Sequence, residues 1–345
     1  MNRRHADHAT YVYGAGILLN HLQALQKEME GVRQARDIEY VHRMRVASRR
    51  LRSDLELFGD CLPAKKFIHW EKHVKTITHA LGAARDTDVQ IELLTQLDKN
   101  LEDVHNRPGL HRLRLRLQQR RAKLQVKVQT TLDAFEDSQA MVDMEGRLQP
   151  VAAMREQVYL YTPALYQRGF NAITSHLNEF LALESCLEQP EKIAELHAMR
   201  IAAKKLRYVL EAFAPLYEGE LKQTLQAMRQ IQDELGEIHD SDIWSDFLPG
   251  FIEKERQRTL AYFGHTRSMK RLDPGLLFFL HNRQENRITK FSQFVSYWQQ
   301  LKDQSLWVEL RKLIQVPFDI SEARDKMEQN VITQPTNIVG ADVSE

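Results

Sequence analysis

Apolar residues recur at spacings of three and four through most of the chain, with long charged side chains between them and few alternating β-branched runs. A face that repeats every 3.6 residues is the pattern of an amphipathic helix, so the sequence predicts an all-α protein without strands. Pro63, Arg107-Pro108-Gly109, Pro150, Pro190, Pro215, Pro249-Gly250, Asp273-Pro274-Gly275 and Pro317 punctuate this pattern. They are expected to divide it into segments of helix length that pack as bundles. The period is lost from about Val316 onward, and residues 316–345 read as a disordered tail.

Sliding the chain against itself uncovers a duplication. The stretch His42 to Arg52 (HRMRVASRRLR) lines up with His197 to Arg207 (HAMRIAAKKLR), and 197 minus 42 gives an offset of 155 that Phe58 and Phe213 keep. Leu81 to Val89 (LGAARDTDV) then matches Leu235 to Ile243 (LGEIHDSDI), where 235 minus 81 gives 154. A weaker echo pairs Pro108-Gly109-Leu110 with Pro274-Gly275-Leu276, and 274 minus 108 gives 166, so about twelve extra residues enter the second half there. The reading is therefore two tandem, pseudo-symmetric helical bundles of the four-helix type, residues 10–146 and 147–315, meeting near Pro150.

Composition narrows the chemistry by exclusion. The 345 residues are enough for two units with real cores, and 48 Lys and Arg against 47 Asp and Glu leave a formal charge of +1. No global field draws the chain toward a polyanion, so any such site must arise from local segregation of charge. Cys61 and Cys186 lie far apart, with no second Cys or metal-spaced His beside either, which argues against a disulfide framework or a zinc finger and for a reducing compartment. The start of the chain does not read as a secretory signal, and no apolar run has the roughly 20 residues a bilayer requires. A cytoplasmic protein without cofactor, metal or membrane partner is expected.

The duplicated helix carries the segregation. At about 100° per residue, His42, Arg45, Arg49 and Arg52 fall within an arc of about 80°, while Met44, Leu51, Leu55 and Phe58 occupy another. The second copy sets His197, Arg200, Lys204 and Arg207 apart from Met199, Leu206, Leu210 and Phe213 in the same way, and no acid interrupts either motif. Cations one turn apart repel unless something neutralises them. Ion pairing to neighbouring helices is one remedy and a bound polyanion is the other. The cation positions recur on this arc while Arg43 becomes Ala198 outside it, which favours the polyanion. Arg50 and Lys205 adjoin the stripe, and Lys75 and Arg229, matched at 154, could line the same groove from an adjacent helix; Arg121 and Arg287 are weaker candidates. The cluster from Arg112 to Lys123 reads mainly as a solvated face.

The pattern His-x-x-Arg-Val/Ile-x-x-Arg/Lys-Arg/Lys-Leu-Arg, followed by Leu-Gly-x-x-Arg/His-Asp-x-Asp-Val/Ile and present twice, resembles the CHAD domain, the conserved histidine α-helical domain. The likeness covers about residues 10–310. It implies two bundles about a basic groove or pore that binds inorganic polyphosphate without catalysis, and it makes polyphosphate granules a place to look for the protein. Many relatives carry a triphosphate-hydrolysing tunnel domain of which these residues show no trace, which weakens any expectation of activity. The halves differ at Arg85 against His239, so they should contribute unequally to a shared groove.

Gly82 and Gly236 are expected to permit close helix approach, and Asp86, Asp240, Asp88 and Asp242 to cap a helix or orient an Arg. Two other classes compete. His239-Asp240 spells the dipeptide of the HD metal-dependent phosphohydrolases, but Arg85 stands at the matching position and the surrounding Arg residues disfavour a divalent cation. Arg-rich helices also neutralise nucleic-acid backbones, yet the stripe lacks interleaved aromatics and no helix-turn-helix is evident.

Overall fold

A computed structural model describes residues 7–35 and 37–315; the tail assigned to residues 316–345 lies outside the described residues. The fold is all-α, with ten helices and short 3-10 turns and no strand among the described residues. The first half holds α1 (His8–Gln34), α2 (Ile38–Phe58), α3 (Ala64–Lys99), α4 (Arg107–Asp137) and α5 (Ala140–Ala152). The second holds α6 (Pro163–Leu181), α7 (Ile193–Phe213), α8 (Lys222–Phe263), α9 (Met269–Asp303) and α10 (Leu306–Gln315). Within each half the first four helices pack in succession, and the fifth returns to the first: α5 to α1, and α10 to α6 and α9. The division between residues 146 and 147 falls inside α5.

Local chemistry explains the key ends. Asp7 caps α1 by accepting from the Thr10 amide at 3.0 Å, and Thr162 caps α6 by accepting from the Leu165 amide at 3.3 Å. These caps occupy matching positions, and the Thr162 hydroxyl donates to the Asp7 carboxylate at 2.7 Å. Several expected breaks are absent: Pro150, Pro249 and Pro274 lie inside α5, α8 and α9. An internal proline removes one helical hydrogen bond at a cost of about 3 kcal/mol. Around Pro249 the buried side chains Trp244, Leu248 and Phe251 hold the helix on course through their packing.

Matching residues meet each other across the molecule. Phe58 and Phe213 lie 5.8 Å apart between ring centroids, beside Tyr13, whose hydroxyl donates to the Ala212 carbonyl at 2.7 Å. Arg168, the counterpart of Tyr13, donates to the carbonyl of Leu57, the counterpart of Ala212, also at 2.7 Å. Gly14 and Gly169 make room for these phenylalanines, since added Cβ atoms would come within 2.7 Å of Phe58 and 3.2 Å of Phe213. A single main core runs through both halves here.

A second, separate core joins the far ends of α3 and α4 to those of α8 and α9, with Leu110, Leu113, Trp244 and Phe279 buried in it. Its closest crossing uses the weaker echo. A Cβ on Gly109 would collide with the backbone of Leu272 and Leu276, and one on Gly275 with the backbone of Asn106. Backbone cannot yield as a flexible side chain can, so glycine is required at both.

Candidate functional site

The apolar arcs of α2 and α7 are buried as their period requires: Met44, Leu51, Leu55 and Phe58 on one, and Met199, Leu206, Leu210 and Phe213 on the other. Burying these faces fixes where the cations must point. Arg45, Arg49, Arg200 and Lys204, drawn from two helices, come close enough that the charging of Arg45, Arg200 and Lys204 is opposed by their neighbours, Arg49 among them. Burial is the largest cause at Lys204, followed by Arg200, Arg49 and Arg45, and together they push its amine from 10.5 down to about 6. Burial first, and neighbouring guanidinium groups second, also lower the pKa of Arg45 and of Arg200.

Compensation is sparse. Asp86 accepts from Arg45 at 3.2 Å, whereas Arg49, Arg200 and Lys204 have no ion-pair partner among the described residues. Arg49 instead lies over the Tyr208 ring, 5.6 Å from its centroid. The Nε atoms of Arg45 and Arg200 are buried without a hydrogen-bond acceptor. Asp240, the counterpart of Asp86, has its carboxyl pKa raised by burial, against the pull of Arg200.

The histidines stand at the outer end of the cluster. His197 and His239 face one another with Nδ1 atoms 3.2 Å apart, and burial followed by Arg200 pushes His239 down to about 4. His197 is lowered by burial and then by Arg200 and Lys204. His42 is lowered by burial and then by Arg85, which occupies the position of His239 and pairs with Glu39 at 3.5 Å.

A cavity of about 910 Å³ reaches Arg45, Arg200, residues of both Leu-Gly motifs and Lys290 of α9. Its lining is mixed in charge: Arg45, Arg85, Arg200 and Lys290 share it with Asp86, Asp233, Glu234, Glu237 and Asp240. Gly82 and Gly236 do not mark close helix crossings. A Cβ on Gly82 would meet only the Arg45 guanidinium, at 3.6 Å, and one on Gly236 would meet nothing within 4 Å. The smallness of Gly236 leaves the cavity wall open there, and that of Gly82 leaves space for Arg45. Asp86 and Asp240 sit mid-helix and cap nothing.

The other expected site residues separate from this cluster. Arg50 donates to Glu211 from across the two halves, with Nη2 at 2.9 Å, and Arg207 donates to the same carboxylate at 2.9 Å and to Gln232 at 2.8 Å. Arg52 pairs with Glu56 at 3.4 Å. Lys75, Lys205 and Arg229 are exposed, and none lines the cavity. Arg121 donates to buried Asp88 at 2.7 Å, and Arg287 donates to Asp242 in the matching bond. These Asp residues therefore orient an Arg, one of the roles expected for them. The acidic wall from α8, the Tyr208 stack and Lys290 were missed by sequence reasoning. Glu237, inside the second Leu-Gly motif, was the available signal for the wall.

This arrangement defines the class, an all-helical protein in which a duplicated His-x-x-Arg helix packs against its own copy around an undercompensated group of cations. The chain belongs to the CHAD domain family, whose model matches residues 16–249. Its fold is similar to the crystal structure of the CHAD domain from the plant Ricinus communis, with a TM-score of 0.59 and 24% identity over 85% of this chain and 92% of that one. It is also similar to PptA from Streptomyces chartreusis, with a TM-score of 0.55 and 14% identity over 83% of this chain and 98% of that one. A comparison with curated proteins gives no match. No helix among the described residues is long and apolar enough to cross a membrane.

Proposed function

We propose that this protein binds inorganic polyphosphate without transforming it, through Arg45, Arg49, Arg200 and Lys204, with His42 and His197 at the margin. The observation that carries this reading is the shortage of acids: three of the four clustered cations lack an ion-pair partner among the described residues, and Lys204 is driven to about 6. A cluster that discourages its own charging is relieved by an anion of high charge density. Guanidinium groups give forked bonds to phosphate oxygens, and a polyphosphate has no bases that would call for stacking or edge recognition. The carboxylates of α8 would confine the chain to the α2 and α7 side. Residues 10–146 and 147–315 then act as two units holding one ligand from both sides, in a cytoplasmic setting where polyphosphate granules are found.

The HD-type reading is weaker because His239 is turned against His197 and sits beside Arg200 and Lys204, surroundings that repel a divalent cation. Calorimetric titration with polyphosphate at two salt concentrations tests the proposal. Micromolar or tighter affinity that falls steeply with salt is expected, since several bound cations displace counterions together. Affinity indifferent to salt, or absent at low salt, would sink it.

A further inference from the structure

The twelve or so extra residues of the second half build a feature that the first half does not have. α8 runs to 42 residues against 36 for α3 and ends at Gly264, whose φ of +72° turns the chain and whose amide donates to the Leu260 carbonyl at 2.8 Å. The hairpin tip that follows lies beyond the residues matched by the family model, which stop at 249.

Leu260, Tyr262 and Phe263 are 51%, 83% and 57% exposed at this tip. Tyr262 and Phe263 meet edge to face at 4.7 Å between centroids, and His265 stacks on Phe263. Isolated exposed apolar residues are ordinary, but a contiguous group of rings is not. The surrounding charge is one-sided. Lys254, Arg256, Arg258, Arg267, Lys270 and Arg271 are opposed within that stretch only by Glu255, which is wholly buried and bonded to Arg112, Arg116 and Arg258. Arg256 reaches Glu253 and Asp273 only at 4.0 and 3.8 Å, and the remaining four have no ion-pair partner among the described residues. The tip stays ordered on its inner side, where Glu255, Thr259 and Met269 are buried. The matching turn of the first half carries Glu102 and Asp103 instead.

We infer that this tip docks on an anionic phospholipid surface, with Leu260, Tyr262 and Phe263 entering the headgroup layer and the cations pairing with lipid phosphates. Aromatic and aliphatic side chains at the end of a hairpin, ringed by Lys and Arg, match the depth profile of a membrane interface. A second copy of the chain is disfavoured because two such tips would repel. A single nucleic-acid strand would need a groove along which bases stack in succession, whereas the rings here are packed against each other and accompanied by the aliphatic Leu260. The contact is peripheral, in keeping with helices among the described residues too polar to cross.

Co-sedimentation of the full chain with vesicles tests this, using phosphatidylcholine alone or mixed with phosphatidylglycerol. Binding to the mixed vesicles at low salt is expected, with little to phosphatidylcholine alone. Tyr262→Ser with Phe263→Ser, and separately Lys270→Glu with Arg271→Glu, should each weaken it by about tenfold or more while leaving helicity and polyphosphate affinity unchanged. Absence of binding to the mixed vesicles, or equal binding by the variants, overturns the proposal. So does a single-stranded oligonucleotide that the native tip captures and the variants do not while vesicles go unbound.

Discussion

The two halves of the cation cluster are built from matching positions and differ in what can switch off. The first contributes three guanidinium groups, Arg45, Arg49 and Arg85, together with His42. The second contributes Arg200 with Lys204, His197 and His239, of which Lys204 is held at about 6 and His239 at about 4. The second side therefore holds the amine and the imidazole pushed furthest toward their neutral forms, Lys204 and His239. Duplication thus supplied a geometry, and the residues at two matched positions, Arg49 against Lys204 and Arg85 against His239, make one side the more responsive to protons.

Removing both sides at once should have the largest effect. Arg49→Glu together with Lys204→Glu is expected to weaken polyphosphate binding by about a hundredfold or more, because two attractive contacts become repulsive. The circular-dichroism melt should hold, since neither residue lies on a buried apolar arc and the mutual repulsion is relieved. A melt that collapses while binding survives would assign these residues to the scaffold.

The acids just outside the motifs form a second unequal pair. Glu211 accepts from Arg50 and Arg207 and its side chain is 18% exposed, whereas Glu56 holds only Arg52 and is 51% exposed. Glu211→Gln should lower stability by about 1–3 kcal/mol by leaving two guanidinium groups short of charge, and Glu56→Gln by less than about 0.5 kcal/mol. Chemical denaturation of the two variants side by side measures the gap, and equal effects would mean that Arg50 does not tie the halves together.

That pairing marks the edge of what the sequence made legible. The helical period exposed the buried arcs of α2 and α7 because amphipathicity is a local property, and the self-match exposed the repeat for the same reason. The fate of Arg52 and Arg207 was misjudged because their acids stand four residues further on, one turn beyond the motif, and Arg50 reaches an acid 161 residues away. Lys75 and Arg229 matched each other faithfully and still stand exposed, since duplication copies solvent-facing positions along with the rest. The Pro-Gly echo was visible, but not that Gly109 and Gly275 would cross at one point, which only packing decides. Prolines 249 and 274 read as breaks because their helices are held by distant side chains.

The more proton-responsive half predicts a pH dependence of definite sign. Lys204 in the free fold lies near 6, and a bound polyphosphate should raise it back toward the ordinary 10.5 by supplying opposite charge. Between those limits the complex holds more protons than the free protein, so binding takes up protons and tightens as pH falls, by at most about tenfold per pH unit per proton. The gain levels off below about 6, where the free amine is already charged. His42 and His197, both lowered in the free state, add a smaller uptake of the same sign. Calorimetry between pH 6 and 8 in two buffers of different ionisation enthalpy counts the protons. Lys204→Arg should remove most of the uptake, and zero uptake by the native chain would leave the amine and the imidazoles as packing groups.

Exchanging the residues at the remaining matched position tests whether the halves differ in chemistry or only in shape. Arg85 and His239 both line the cavity; Arg85 is the leading influence, after burial, on His42, whereas His239 is itself held down by burial and Arg200. At pH 8 His239 is neutral, so His239→Arg adds a permanent cation and should tighten polyphosphate binding several-fold, by about one phosphate contact. Arg85→His removes one and should weaken binding by a similar factor or slightly more, because it also releases the carboxylate of Glu39, which Arg85 now holds at 3.5 Å. The two variants should also move the histidines in opposite directions. Without Arg85 the principal charge depressing His42 is gone and its pKa should rise, whereas a guanidinium at 239 should push His197 further down. The double exchange should then bind with nearly native affinity while the imidazole part of the proton uptake shifts toward the first half and the larger part, at Lys204, stays where it is. NMR titration of the imidazole protons in the two single variants reads that shift directly, and unchanged affinities with unchanged imidazole titrations would reduce the difference between the halves to packing.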